Sequence, residues 1–558
     1  MFLQNINYDT LYLKGFRPYL WIIGLGFLLY FQALGLGYVS LDDEHLIVQN
    51  YPHISNLANL PQAFLKDVYW RNPGTYYRPL LNVSLMLDAA LGGQKPFVFH
   101  FTNILLHLAC GLLIFRFFQK LGFGRLRSFA VSLFYLAHPA LVQASAWIPG
   151  RNDTLLTLLT LAGFIFLIRY LEKQNIGDLL GHFLFFALAC LTKEAAVVFP
   201  LAGLLYVWAV SKEIPSFKKL LPLISGWVII LAGWYGLRWQ AISPAVNAHE
   251  RQFANFKEIL TGLVSYTGKV FFPFNLSVLP LSGDVKLFWG LMAIALVLAL
   301  GLVKGIHNRK MFLFGLSWYL LFLLPTFVKL AGQINYLEHR LYLPLVGLVI
   351  MLLETNVVRK IALKPALMAG LPILVVFGVL ATRHIADFKT DQTFWGNAAR
   401  TSPNSGLAHQ MMGRAWVRDL QPAKAEQEFI KAAQLDPQGP SIPNDLALLY
   451  LEYGKVQQAG EQFQKVLKLD PNYANVRNNL ALVYFNLGML DSSRHQLQEA
   501  IRLDPSKPQP YDNLGVLLMQ AGKLDSAEYY LSRSLSLNPA DSAARQHFLQ
   551  LQQLKGSR

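Results

Sequence analysis

The C-terminal part of the chain is decided by one tripeptide, Leu469-Asp470-Pro471. It recurs as Leu435-Asp436-Pro437, Leu503-Asp504-Pro505 and Leu537-Asn538-Pro539, each 34 residues from the next. Between these marks the packing residues keep phase. Leu446, Ala447, Tyr450, Ala459 and Phe463 of one interval answer to Leu480, Ala481, Tyr484, Ser493 and Leu497 of the next. Met412, Gly413, Trp416, Ala425 and Phe429 stand before them, and Leu514, Gly515, Leu518, Ala527 and Leu531 after. Gly454, Gly488 and Gly522 fall where a tight turn between paired helices needs a positive φ, which glycine adopts most cheaply. The prolines stop each second helix. The pattern predicts four units of two antiparallel helices over residues 406–541, stacked on one another, with the polar tail 542–558 as a capping helix.

A 34-residue helix–turn–helix period is that of tetratricopeptide (TPR) arrays. Upstream of about residue 390 the grammar changes. The 558 residues are 54% hydrophobic and only 15% charged, with mean hydropathy +0.34, against roughly a quarter charged in soluble proteins. This excludes a disordered chain and speaks against a wholly soluble one. Cys110 and Cys190 both lie in apolar runs, which excludes a disulfide-stapled scaffold and a four-cysteine zinc site. Apolar stretches at 19–39, 97–118, 128–148, 154–171, 180–192, 195–210, 220–240, 287–303, 311–329, 341–356 and 366–383 predict about eleven membrane spans. Residues 1–390 are therefore expected to form a polytopic membrane domain, and 391–405 a linker to the repeats. The first stretch is too long for a signal-peptide core and is read as a retained helix. With eleven spans the basic clusters (Lys14 and Arg17; Arg116, Lys120, Arg125 and Arg127; Arg169 and Lys173; Lys212, Lys218 and Lys219; Lys304, Arg309 and Lys310; Arg359, Lys360 and Lys364) share one side, the cytoplasm. The loops at 40–96, 241–286 and 330–340 and the repeats then face outward. The net charge of +16 reads as loops facing anionic lipid, and no nucleic acid is implied.

The first outward loop opens with Leu41-Asp42-Asp43-Glu44-His45. Acids at a membrane boundary are costly unless they face water or bind something. A carboxylate here could deprotonate a hydroxyl acceptor, or simply form a solvated helix end. Trp70, Arg71, Tyr76, Tyr77 and Arg78 follow, suited to sugar stacking or to an interfacial belt. His100, Asn103 and His107 make one polar stripe on an apolar helix, for substrate contact or for interhelical hydrogen bonds. His138-Pro139, Trp147-Ile148-Pro149-Gly150-Arg151-Asn152-Asp153, Lys193-Glu194 and Leu337-Glu338-His339-Arg340 complete the set. Arg151, Lys193 and Arg340 are outward cations. They could bind a lipid-linked phosphate, with Arg offering paired contacts, or pair with the neighbouring Asp153, Glu194 and Glu338. In the repeats Asn479 and Asn513 occupy equivalent positions, either bonding a peptide backbone or serving the packing.

Taken in order, Asp42-Asp43, the His100-Asn103-His107 stripe, His138-Pro139, Gly150-Arg151, Lys193-Glu194 and Arg340-Leu341-Tyr342-Leu343-Pro344, followed by the repeats, resemble the transmembrane-and-TPR glycosyltransferases, relatives of the protein O-mannosyltransferases. The family usually has an aromatic where this chain has Leu41. The resemblance implies an all-α chain with a GT-C membrane fold and an enzyme that transfers a sugar, mannose in the family, from a polyprenyl-phosphate carrier to hydroxyls of extracytoplasmic protein, with inversion. It makes Asp42 or Asp43 the general base. Arg340 is the first choice for the leaving phosphate, with Lys193 and Arg151 beside it, and Arg78, His100, Asn103, His138 and Glu338 are substrate contacts. It assigns acceptor peptide or a partner protein to the repeats through Asn479 and Asn513. No cofactor beyond the lipid-linked donor is expected, and no metal, because the leaving phosphate already carries charge. Four repeats and short loops point to a bacterial inner-membrane member. A surface-glycan polymerase or ligase and a non-enzymatic membrane-anchored scaffold are the competing readings.

Overall fold

The computed structural model describes residues 13–70, 76–210, 216–242, 251–330 and 336–557. Arg71 and Lys212 lie outside the described residues. The chain divides into two compact units, Met1–Ser402 and Pro403–Arg558.

In the first unit every apolar stretch of the sequence becomes a helix. Among the described residues six helices are long and apolar enough to cross a membrane: Arg17–Gly35, Pro96–Lys120, Ile148–Lys173, Leu220–Ala241, Arg309–Phe327 and Met368–Ala386. Arg125–Ala137 and Pro139–Ala146 make a seventh if the pair, bent by 59°, is one span. The other four expected spans coincide with Ile176–Thr192, Glu194–Val210, Leu287–Val303 and Pro344–Leu353, which have 10–17 residues, fewer than the ~20 a full crossing takes. The chain is a multi-pass membrane protein. An additional apolar helix, Pro79–Gly92, sits inside the stretch expected as an outward loop.

The helices break where the sequence carries its polar motifs. His138 precedes a proline and is held extended (φ −71°, ψ 115°), as a pre-proline residue must be. Its ring then caps the next turn, accepting from Ala140 N at 3.3 Å. Trp147 is extended before Ile148–Gly150, and Lys193 is extended (φ −156°, ψ 140°) between two apolar helices. Leu337 is extended before the short turn Glu338–Leu341. The breaks at Trp147, Lys193 and Leu337 bring polar side chains to one cavity. Elsewhere packing is tight. A Cβ on Gly315 would lie 2.6 Å from the Gly347 carbonyl, and one on Gly347 2.5 Å from the Gly315 carbonyl. Helices Arg309–Leu323 and Pro344–Leu353 thus approach backbone to backbone. Trp318 is wholly buried beside this contact. A two-stranded antiparallel ribbon pairs Arg251–Phe253 with Val328–Leu330.

The stretch expected as a linker is partly regular. Asp391–Thr401 is a helix with a Thr390–Thr393 capping box, and it belongs to the first unit. Phe394, Trp395 and Ala398 on it are fully buried.

The second unit is four helix pairs: Gly406–Arg418 with Pro422–Leu435, Ser441–Glu452 with Val456–Leu469, Ala474–Asn486 with Leu490–Leu503, and Pro508–Gln520 with Leu524–Leu537. Ser542–Gly556 follows as a ninth helix. The phased residues form its core, with Phe429, Phe463, Leu497 and Leu531 at 0–1% exposure. Each such side chain contributes about 1.5–3 kcal/mol of burial. The recurring Asp or Asn before proline closes the turn between units. Asp470, Asp504 and Asn538 each accept a backbone N–H two residues on, at 3.0, 3.1 and 3.3 Å, the Asx-turn geometry these residues favour.

Candidate active site

Three of these breaks, at Trp147, Lys193 and Leu337, line a cavity of about 370 Å³, within the range of small-molecule sites, ~300–1,000 Å³. Asp42, Arg78, Lys193 and Arg340 line it, brought from four separate stretches of chain, together with Trp147, Asn152, Asp153, Glu194 and His339.

Asp42 is half-buried, and among the described residues its carboxylate makes no hydrogen bond or ion pair. Burial raises its pKa above the ordinary carboxylate value, against the opposing pull of Arg78 and His45. Asp43 is 1% exposed and does not line the cavity. Its Oδ2 accepts from Val39 N at 3.0 Å, and burial pushes its carboxyl well up. Two adjacent acids therefore have two surroundings, one open to the cavity and one folded into the loop.

Arg78 and Lys193 are balanced by acids from other stretches, not by their sequence neighbours. Arg78 donates to both oxygens of Glu194, at 2.8 and 3.3 Å, with its guanidinium 4.6 Å from the centre of the Tyr76 ring. Lys193 Nζ is 2.8 Å from each oxygen of Asp153. His339 Nε2 lies 3.9 Å from the same carboxylate, with its ring 5.7 Å from that of Trp147. Arg340 donates to the Thr326 carbonyl at 3.2 Å.

Several expected contact residues sit elsewhere. Arg151 is completely buried away from the cavity. It pairs with Asp88 at 2.6 Å and donates to Asn103 Oδ1 at 2.6 Å, the Phe99 carbonyl at 2.7 Å and Ser84 Oγ at 3.2 Å. A guanidinium with four partners on two other helices holds the fold together. Arg151 and Asp153 are two apart on one helix, so they face nearly opposite sides, and Asp153 is the one turned to the cavity. Asn103 also donates to the Trp147 carbonyl at 3.1 Å. His100 lies 3.3 Å from the Gly37 carbonyl, and His138 bonds the Val270 carbonyl at 3.0 Å. His107 bonds the Tyr342 hydroxyl. Glu338 accepts from Lys269 Nζ and Ser277 N, both at 2.7 Å. None of these side chains lines the cavity. Their bonds tie helices and loops together behind it. In the repeats Asn513 donates to Asn478 at 2.8 Å, and Asn478 reaches Asn479 at 3.5 Å.

A second cavity of about 390 Å³ adjoins the first and shares Tyr76, Glu194, Pro325 and Val328 with it. Its remaining lining is mainly apolar: Val197, Val198, Trp234, Phe253 and Leu324, with Arg238.

Residues 78–236, which supply much of the cavity wall, match the family described as dolichyl-phosphate-mannose-protein mannosyltransferase. Residues 447–488 and 478–542 match tetratricopeptide repeat models. The chain thus carries a membrane region similar to that mannosyltransferase family, followed by TPR repeats. It is also similar to several proteins named protein O-mannosyl-transferase. It is 23% identical to protein O-mannosyl-transferase F38B6.6 of Caenorhabditis elegans over 76% of this chain and 63% of that one. Tmtc1 of Drosophila melanogaster is 29% identical over 31% and 20%, and TMTC1 of Homo sapiens 32% over 24% and 16%. The chain spans less than two thirds of the length of each of these relatives. Among solved structures it is similar to MamA, at 21% identity over 28% of this chain and 92% of that one, with a TM-score of 0.26.

Proposed function

We propose that this chain is a glycosyltransferase that moves a hexose, mannose by kinship, from a polyprenyl-phosphate carrier to hydroxyl groups of extracytoplasmic protein. The observation that carries this reading is the 370 Å³ cavity, in which a carboxylate whose pKa is raised by burial, Asp42, faces the same space as Arg340, Lys193 and Arg78. Direct displacement needs little more. Asp42 takes the proton of the acceptor hydroxyl as its oxygen attacks the anomeric carbon. The bond from that carbon to the phosphate oxygen breaks, and the electron pair leaves on the polyprenyl phosphate. A raised pKa makes Asp42 the stronger base. Arg340, with Lys193 beside it, stabilises the departing charge. One base on one face of the sugar gives inversion, without the close carboxylate pair of a retaining enzyme. The adjoining apolar cavity offers a path for the polyprenyl chain.

The repeats hold the acceptor protein or a partner, with Asn479 and Asn513 bonding an extended backbone. The basic loops lie on the cytoplasmic side of a bacterial plasma membrane, and the cavity mouth and the repeats lie outside. The test is a comparison of intact masses and glycopeptides of extracytoplasmic proteins with and without this chain. Loss of single hexoses from protein Ser or Thr supports the proposal. Unchanged protein with altered lipid-linked or surface glycans refutes it in favour of a polymerase or ligase.

A further inference from the structure

The helix Asp391–Thr401 takes no part in the chemistry above, yet its side chains hold, directly or through a chain of bonds, two segments that each carry a residue of the cavity. On one face Asp391 Oδ1 accepts from Ser40 N at 2.6 Å, and Trp395 Nε1 donates to Ser40 Oγ at 3.2 Å. Asp391 and Trp395 are four apart and share a face. Just before the helix the Lys389 carbonyl accepts from Gly37 N at 3.4 Å. Ser40 stands two residues ahead of Asp42. On the other face Asn397 Oδ1 accepts from Val278 N at 3.0 Å, and its Nδ2 donates to Asp387 Oδ2 at 2.8 Å. Asp387 in turn holds His384 Nδ1 at 2.8 Å, and His384 Nε2 lies 3.2 Å from Glu338 Oε2. Glu338 stands two residues ahead of Arg340. Asn397 and Trp395 are buried, which polar groups tolerate only when bonded in this way.

We propose that Asp391 and Asn397 are positioning residues with separable duties: Asp391, with Trp395, fixes the loop that aims Asp42, and Asn397, through Asp387, His384 and Glu338, fixes the turn that aims Arg340. The inference rests on the roles proposed above for Asp42 and Arg340. Its logic is geometric. A base displaced by about 1 Å loses roughly 100-fold in rate while ground-state binding of the donor stays. A displaced phosphate cation weakens donor binding itself.

The test uses the full-length chain in lipid nanodiscs, polyprenyl-phosphate mannose as donor and an extracytoplasmic protein extract as acceptor. Asp391→Ala is expected to lower kcat by about tenfold or more with the donor KM within about twofold of the parent, and Asp391→Asn, which keeps the acceptor oxygen for Ser40 N, to restore kcat to within about threefold. Asn397→Ala is expected to raise the donor KM about fivefold or more and leave kcat within about threefold. A helix that is merely structural would move both constants together in all variants, or neither, and either result overturns the proposal. If Asp391→Ala does not fold, Trp395→Phe removes the N–H donated to Ser40, with part of the buried ring, and keeps an aromatic in the core. It should lower kcat about threefold at constant KM, and an unchanged kcat overturns the proposal. Asp42→Asn, run alongside, separates the two readings. Full activity in Asp42→Asn defeats the base assignment. Lost activity there, with unchanged kcat in Asp391→Ala and Trp395→Phe, defeats only the positioning role.

Discussion

Replacing Asp88 by Ala should destabilise the membrane unit more than any single change in the cavity. The Arg151 side chain is 0% exposed and that of Asp88 3%, and the two are 2.6 Å apart. Removing the carboxylate strands a guanidinium in the interior, which costs about 3–5 kcal/mol. Thr102 also loses its acceptor, Asp88 Oδ1 at 2.6 Å, worth about 1 kcal/mol. The Phe99 carbonyl, Asn103 and Ser84 remain as neutral acceptors and offset part of the loss, so about 3 kcal/mol is expected. Cys110 and Cys190, at 0% and 1% exposure, supply the assay, because a thiol-reactive dye labels them only as the unit opens. Thermal labelling in detergent should shift down by about 5 °C or more in Asp88→Ala. The double variant Asp88→Leu, Arg151→Met removes both charges and should recover most of the shift, since apolar replacement of a buried pair is near neutral. A shift in Asp88→Ala below that of ~1 kcal/mol would refute the structural role given to Arg151.

Two further outcomes are expected. With Asp42 as the proposed base, kcat/KM should fall as pH drops through a pKa above the ordinary carboxylate range, where burial has set it. Arg78 lowers that pKa, so Arg78→Gln should move the acid limb to higher pH, and Glu194, left without its partner, pushes the same way. A limb that stays put or moves down contradicts the assignment. In the repeats Gly488 has φ +74° and nothing within 4 Å of where a Cβ would sit, so Gly488→Ala should cost about 1–2 kcal/mol of purely conformational origin. The loss should appear as faster amide exchange in Ala474–Asn486 and Leu490–Leu503, and unchanged protection would contradict the turn assignment.

The repeats were legible because their information is local. A period, a turn glycine and an Asx turn at Asp470 or Asp504 each act within one unit. The apolar helices were legible from composition, although Pro344–Leu353 and its short companions show that an apolar stretch does not fix helix length. What the sequence concealed was direction at the helix breaks. Arg151 and Asp153, Glu338 and Arg340, and Asp42 and Asp43 are near neighbours with opposite destinations, and a small difference in rotation decides which one meets the cavity. The ion pairs were hidden for a related reason. Lys193 finds Asp153 and Arg78 finds Glu194 across the fold, at separations no local pattern records. The helix Asp391–Thr401 did carry a signal, the apolar Phe394, Trp395 and Ala398 on one side, which marks a packed helix and not a free linker.

The most direct test of the central claim is the rate of mannosyl transfer from a polyprenyl-phosphate donor to protein by the reconstituted chain, compared between Asp42→Asn and Asp43→Asn at equal folding and equal donor binding. The account predicts a loss of about 100-fold or more in Asp42→Asn and a clearly smaller loss in Asp43→Asn, whose amide oxygen can still accept from Val39 N. Undiminished transfer by a folded Asp42→Asn protein would contradict it.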